Sequence, residues 1–316
     1  MGCTELEPGE DTCISAGRCT PPDDLFRCLP DGEPPFVPLS PPPPLVNYIV
    51  PIVDSTVPNP AVALPNLRIR VCLDSDQVCD PASPMALPAI VSPVPGQPAA
   101  VTSVLLPFVP MATLHLRLSA MGYMDARYYF GGPLIGAPTP DNPEGGDTFQ
   151  FQVPEQAAPL LGVPAGTSLT IPIVRGQPIA MIPLERLEQF FRDIAVGQTR
   201  DPNAGIIALR MIDCDMKRTP GVNLDMAAEL GAAFGFVVQT NNVPVPSFPS
   251  DLAGPTVPGE RGGAGFANLA PRNYSPVGVL PDGRTYGGLV GFNIAPNTIT
   301  YGEVRPGSDE GYPYGR

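Results

Sequence analysis

Seven cysteines, one histidine and a few clustered aspartates are the side chains of this 316-residue chain that first invite a chemical reading. Acyl transfer needs a base able to take a proton near neutral pH, and the only histidine is His115, set mid-strand in TLHLRL. No GxSxG elbow accompanies any serine. His115 therefore reads as a strand residue. The segment CLDSDQVCD places Asp74, Asp76 and Asp80 beside a pair of cysteines, and DCD adds Asp213 and Asp215. Calcium takes about six to eight oxygens, so short-spaced aspartates in a loop are the right material. The EF-hand pattern fails, with no glycine at its sixth position and no closing glutamate. Asp74, Asp76 and Asp80 stand as a calcium candidate set against solvated loop charges, and no other cofactor is expected. As glycosidase carboxylates these residues lack the aromatic platforms that sugars favour. The glycines of GERGGAGFANL (259–269) precede a strand pattern, whereas a nucleotide loop follows a strand and opens a helix. Tyr128, Tyr129 and Phe130 form the densest aromatic cluster. They read either as an exposed face for a glycan or partner protein, or as a strand end covering a core. With no recognisable base, nucleophile or metal cluster, the expectation is a protein that is not an enzyme.

The cysteines are Cys3, Cys13, Cys19, Cys28, Cys72, Cys79 and Cys214. Zinc would want a CxxC pair or nearby histidines, and neither is present. Setting Cys3 aside leaves an even set of six, suited to disulfides in an oxidising compartment. Cys72 with Cys79 makes a plausible local loop; the remaining connectivity does not follow from spacing. The opening MGCTEL has three readings. A myristoylation signal wants Ser or Thr at position 6, where Leu6 stands. No basic and apolar leader precedes Cys3. The other two are the stump of a bacterial lipoprotein signal and a start without meaning.

Composition narrows the classes further. Eighteen basic against 31 acidic side chains give a net charge of −13, so the basic surface that replaces phosphate counterions is missing and nucleic acid is excluded as a partner. Charged residues make up only 16% and apolar ones 43%, enough for sizeable cores. With 46 prolines and 33 glycines, helices are scarce, because proline lacks a helical donor and glycine costs backbone entropy. The uncharged stretch 81–114 carries too many prolines to form a membrane-spanning helix.

These features predict an all-β chain. Residues 1–33 read as a Cys-rich head without a core, and 34–45 as a polyproline linker. Pro41–Pro44 impose an extended rod, which over Pro34–Pro44 reaches roughly 34 Å. From 46 to 180 the runs VNYIVPIVD, NLRIRVCL, TLHLRLSAMGY, FQFQV and TSLTIPIV alternate as half-buried strands do, separated by Pro/Gly turns, in the pattern of an antiparallel sandwich. In the third run Leu114, Leu116, Leu118 and Ala120 share one face, and His115, Arg117 and Ser119 the other. A helix is expected over 183–196, with Leu184, Leu187, Phe191 and Ile194 on one stripe and Pro183 at its start; it reads as a connector spanning 181–199. Strand patterns resume from 200 to 306 as a second sandwich, and 307–316 is a solvated tail.

The motifs YIVPIVD, LPNLRIRV and SAMGY in the first half, with GIIALRMIDCD, PGVNL and GFANLAP in the second, resemble tandem transthyretin-like domains of the carboxypeptidase-regulatory type. The resemblance implies two seven-stranded prealbumin-type Greek-key sandwiches and no catalytic residues to carry over. Gly2-Cys3 resembles the end of a lipobox, which implies acylation at Cys3 and, with Thr4 following, the outer membrane. On this reading the protein is an exported, lipid-anchored surface component. It would meet other cell-surface proteins, or copies of itself, in a structural or adhesive role. A glycan- or calcium-binding module and an accessory domain of a secreted hydrolase are the alternatives.

Overall fold

In the computed structural model the described residues are 26, 29, 45–56, 62–73, 79, 90–93, 96–107, 114–130, 148–155, 158–176, 178–194, 199–213, 219, 221–226, 228–238, 244–246, 263–287 and 291–306. Two compact units divide the chain. One is Phe36–Pro183 with Gly311–Arg316; the other is Met1–Pro35 with Leu184–Glu310. The polyproline stretch and the tail from 307 lie outside the described residues.

The first unit contains β1 (Leu45–Asp54), β2 (Arg68–Leu73), β3 (Ile90–Pro93), β4 (Val101–Pro107), β5 (Leu114–Ser119), β6 (Asp125–Tyr129), β7 (Thr148–Gln152), β8 (Ser168–Arg175) and β9 (Ile179–Met181). One sheet runs β3-β4-β1-β8-β7, and β9 pairs with the far half of β1. Strands β2, β5 and β6 form an antiparallel set. Because β1 is the middle of its sheet, it is buried along nearly its whole length, so a run rich in Val and Ile fits it better than strict alternation. Tyr48 of β1 crosses to the other sheet. Its ring meets Phe130 edge-on at 5.1 Å, and its hydroxyl lies 3.3 Å from that of Tyr128. On the opposite face of the larger sheet, Leu45, Leu105 and Ile171 gather Phe151 and Leu169 into a satellite cluster. Asp54 closes β1: its Oδ1 accepts from the backbone N–H of Thr56 at 2.7 Å, and Tyr123 donates to its Oδ2 at 2.8 Å.

The second unit contains β10 (Gly205–Met211), β11 (Asn223–Asp225), β12 (Phe234–Val238), β13 (Pro244–Pro246), β14 (Gly263–Leu269), β15 (Asn273–Tyr274), β16 (Val277–Val279), β17 (Thr285–Gly287), β18 (Phe292–Asn293) and β19 (Thr298–Val304). Its main path is β13-β12-β14-β10-β19; β11-β16-β17 form a second sheet, and β15 pairs β18. The ladder between β10 and β14 slips between Gly205 and Ile207. Asn268 takes the slack in a left-handed conformation that asparagine tolerates, and its amide holds Thr199 and Asp201. Gly265 has no room for a side chain, since a Cβ there would strike the Ile207 carbonyl and the Phe236 ring.

Both units repeat one topology. In each, the first strand pairs antiparallel with a strand that pairs antiparallel with a further one on its other side (β3-β4-β1 and β12-β14-β10). In each, the last long strand then lies parallel to the first, as β8 beside β1 and β19 beside β10. The remaining three strands of the common set make the second sheet, β2-β5-β6 and β11-β16-β17. The all-β class is as expected. The purely antiparallel pattern is corrected: alternation reports which face a residue occupies and is blind to the direction of its neighbour.

Of residues 1–33, read as a Cys-rich head without a core, Phe26 is 1% exposed and its ring lies 5.1 Å from that of Tyr286 in the second unit. The helix forms at Leu184–Ile194 and groups with the second unit, where Phe191 meets Phe234 edge-on at 6.1 Å. Leu187 and Phe191 are buried, but Leu184, expected on the same stripe, is exposed: it sits in the first turn, before the helix reaches its contact.

Candidate functional site

Strands β2, β5 and β6 position the densest set of functional side chains among the described residues. On the inward face stand Val71, Leu116, Leu118, Ala126 and Tyr128, all buried. Period-two alternation sends the intervening residues to the opposite face. Register there puts Arg70 opposite Arg117, and Arg117 opposite Arg127, so three guanidinium side chains stand in one row across three strands. The next row joins Cys72, His115 and Tyr129. Arg68 extends the face beyond Ser119. Like charges directly opposite on a sheet are destabilising, so the row is an electrostatic cost that the hydrophobic pattern does not explain.

Partners temper that cost. Arg117 reaches Asp125 at 3.5 Å, the one carboxylate on these three strands. Arg70 donates to the carbonyl of Cys79 at 3.1 Å, and Cys79 is bonded to Cys72 with a Cα–Cα distance of 5.5 Å. The local disulfide anticipated from spacing is therefore present, and it ties the chain back over the outer edge of β2. Arg127 is 5% exposed and has partners of its own.

His115 is 1% exposed, although its position on the polar face suggested contact with water. Its ring stacks on Tyr129 at 5.0 Å between centroids. Among the described residues neither ring nitrogen has a hydrogen-bond partner. Burial, with Arg127 and Arg117 nearby, pushes its pKa down to about 3. Such an imidazole is neutral at physiological pH and too weakly basic for general-base work.

Of the two readings of the aromatic cluster, burial favours the strand end that covers a core. Tyr128, Tyr129 and Phe130 are 6%, 1% and 4% exposed, so they offer no surface to a glycan or partner. Tyr128 and Phe130 close the sandwich over Tyr48, and Tyr129 covers His115. Asp213 is likewise buried. The calcium candidates Asp74, Asp76 and Asp80 lie outside the described residues, as do Cys3, Cys13, Cys19, Cys28 and Cys214. Among the described residues no group of three or more His, Cys, Asp or Glu side chains is placed to hold a metal ion.

The arginine row escaped the sequence reading. Its signal was present as RIR, LHLRL and DARYY, each with arginine at the parity opposite to that of its strand's inward-facing residues. Only the pairing register converts that parity into a row.

The chain matches no protein-family profile and no curated protein. Among solved structures, one likeness is to the C-terminal fragment of the pilus adhesin SpaC from Lactobacillus rhamnosus GG. It is 9% identical with a TM-score of 0.16, covering 83% of this chain and 98% of that one. A TM-score so low carries no argument about fold or function.

Proposed function

We propose that this protein is an exported, non-catalytic surface component. It is built from two prealbumin-type sandwiches in tandem, held to the membrane by acylation at Cys3, and serves a structural or adhesive role in contact with other proteins. The observation that carries the reading is the twice-built set of seven strands, in which the first strand lies beside the last. Seven-stranded sandwiches are what the resemblance to transthyretin-like modules implies, and such modules serve structural, adhesive or accessory roles. Two of the motif residues behind that resemblance, the Asp that ends YIVPIVD and the Tyr that ends SAMGY, are hydrogen-bonded to each other as Asp54 and Tyr123. The Cys72–Cys79 bond suits an oxidising compartment. The non-catalytic reading is supported by His115, whose lowered basicity removes the sequence's one neutral-pH base.

The experiment is the intact mass of protein taken from its native membrane fraction, with and without reduction. Acyl chains at Cys3 together with oxidised cysteines are the expected result. An unmodified N-terminus with free thiols would overturn both the anchor and the compartment.

A further inference from the structure

We infer that the outer edge of β7 is a self-docking site, at which two copies of the chain pair β7 to β7, antiparallel about a two-fold axis at Gln150. β7 (Thr148–Gln152) is the last strand of its sheet, and among the described residues no strand lies beyond it. One bond fixes how its backbone is turned: the Val153 N–H donates to the Thr167 carbonyl at 2.9 Å. Residues of an antiparallel ladder face their neighbour alternately. Phe149 and Phe151 therefore turn their peptide groups to β8, and Thr148, Gln150 and Gln152 turn theirs outward. The side chains of those three residues are exposed, so solvent reaches this edge. Such an edge is ordinarily blunted by charge, by proline or by shortness. β3 ends on Pro93, β13 is Pro244-Val245-Pro246, β11 carries Asp225, and β2 carries Arg68 and Arg70. β15, β17 and β18 are two or three residues long. β7 reads TFQFQ, five residues with no charge, proline or glycine. It is the one sheet end among the described residues left as a template for another strand.

The occupant is a second copy because the strand is complementary to itself. With Gln150 opposite its symmetry mate, Thr148 falls opposite Gln152 of the second copy, and the outward peptide groups close about six hydrogen bonds. No charge is opposed along this contact, although each chain carries −13. Gln150 already bonds across to β8, donating to Thr170 at 2.7 Å and accepting from Ser168 at 2.9 Å. Pairing two copies would continue that uncharged polar row over both sheets. A two-fold contact uses both edges at once, so association stops at the dimer. Five residues a side bury well under the roughly 1,200 Å² of a stable interface, so the dimer is weak. The inference does not rest on the membrane anchor or the surface role proposed above.

Sedimentation equilibrium of the full-length chain from about 10 μM to 1 mM, the range so small an interface allows, tests it. A monomer–dimer equilibrium is expected for the parent protein. Two double variants then read the register. Thr148→Lys with Gln152→Lys sets lysine opposite lysine twice in the paired edge, and Thr148→Lys with Gln152→Glu sets lysine opposite glutamate twice. The first should dimerise about tenfold or more weakly than the second. It is also the less acidic chain, so overall repulsion alone predicts the reverse order. Leu184→Lys, which removes an exposed apolar side chain on the helix of the other unit, should dimerise like the parent. A monomer up to 1 mM, equal association in the two doubles, or a dimer lost in Leu184→Lys would each overturn the site. Should a double variant fail to fold, Gln150→Pro removes an outward N–H without touching the β8 ladder and should abolish the dimer; a dimer that survives it would overturn the site equally.

Discussion

Phe26 offers a decisive perturbation. If it belonged to no core, its replacement by alanine would leave both units unchanged. As a core residue, 1% exposed with its ring 5.1 Å from that of Tyr286, it should behave like any buried phenylalanine. Phe→Ala in a core costs about 3–5 kcal/mol, the lost transfer energy plus the cavity left behind. For a unit of this size each kcal/mol moves the melting temperature by about 2–4 °C. The expected fall is therefore about 6–20 °C, confined to the unit of Leu184–Glu310. Differential scanning calorimetry of Phe26→Ala beside the parent protein measures it. A transition shifted by less than about 2 °C would refute the docking of the N-terminal segment, since no buried aromatic is that dispensable. Tyr286→Phe is the companion variant. The Tyr286 hydroxyl is buried without a hydrogen-bond partner, so removing it should leave the same transition unchanged or raise it by the equivalent of about 1–3 kcal/mol. A fall larger than that of Phe26→Ala would mean that the hydroxyl is satisfied after all.

Two further outcomes follow from groups already placed. His115 has its pKa lowered from 6.5 to about 3, so between those values the unfolded chain binds the extra proton and stability falls as pH drops. The contribution is intact above pH 6.5 and declines by up to about 5 kcal/mol on approach to pH 3, so urea unfolding of His115→Phe should show a shallower acid slope than the parent. Equal slopes would mean that His115 is solvated. Removing the Cys72–Cys79 bond in a double alanine variant opens a short loop, worth about 2 kcal/mol by chain entropy. The loss should appear in the Phe36–Pro183 unit alone, and an unchanged urea midpoint would show that the bond constrains nothing.

The strands were legible wherever packing imposed alternation. LHLRL placed Leu114, Leu116 and Leu118 inside without ambiguity, and Pro183 marked the start of the helix. What sequence pattern lacked was partnership. Nothing in YIVPIVD says that it will lie parallel to TSLTIPIV, since that choice is made by the whole sheet. Phe26 was hidden by its surroundings, a single aromatic with no periodic neighbours, among cysteines that suggested a self-sufficient knot. Tyr128, Tyr129 and Phe130 allowed two readings because aromatic density alone does not tell exposure from a strand whose two faces are both covered, as those of β6 are. The arginine row required the register of three strands at once.

The parallel pairing of first and last strands has a mechanical consequence. Tension along the chain pulls β1 from its beginning and the β8–β9 segment from its end. In parallel neighbours those points lie at opposite ends of the ladder. The load then shears every bond between them together, whereas antiparallel ends would unzip bond by bond. β10 and β19, paired from Ile206↔Ile299 to Met211↔Val304, repeat the arrangement. Stretched in a force spectrometer, each unit should hold and then yield in one abrupt event; gradual extension at low force would contradict this.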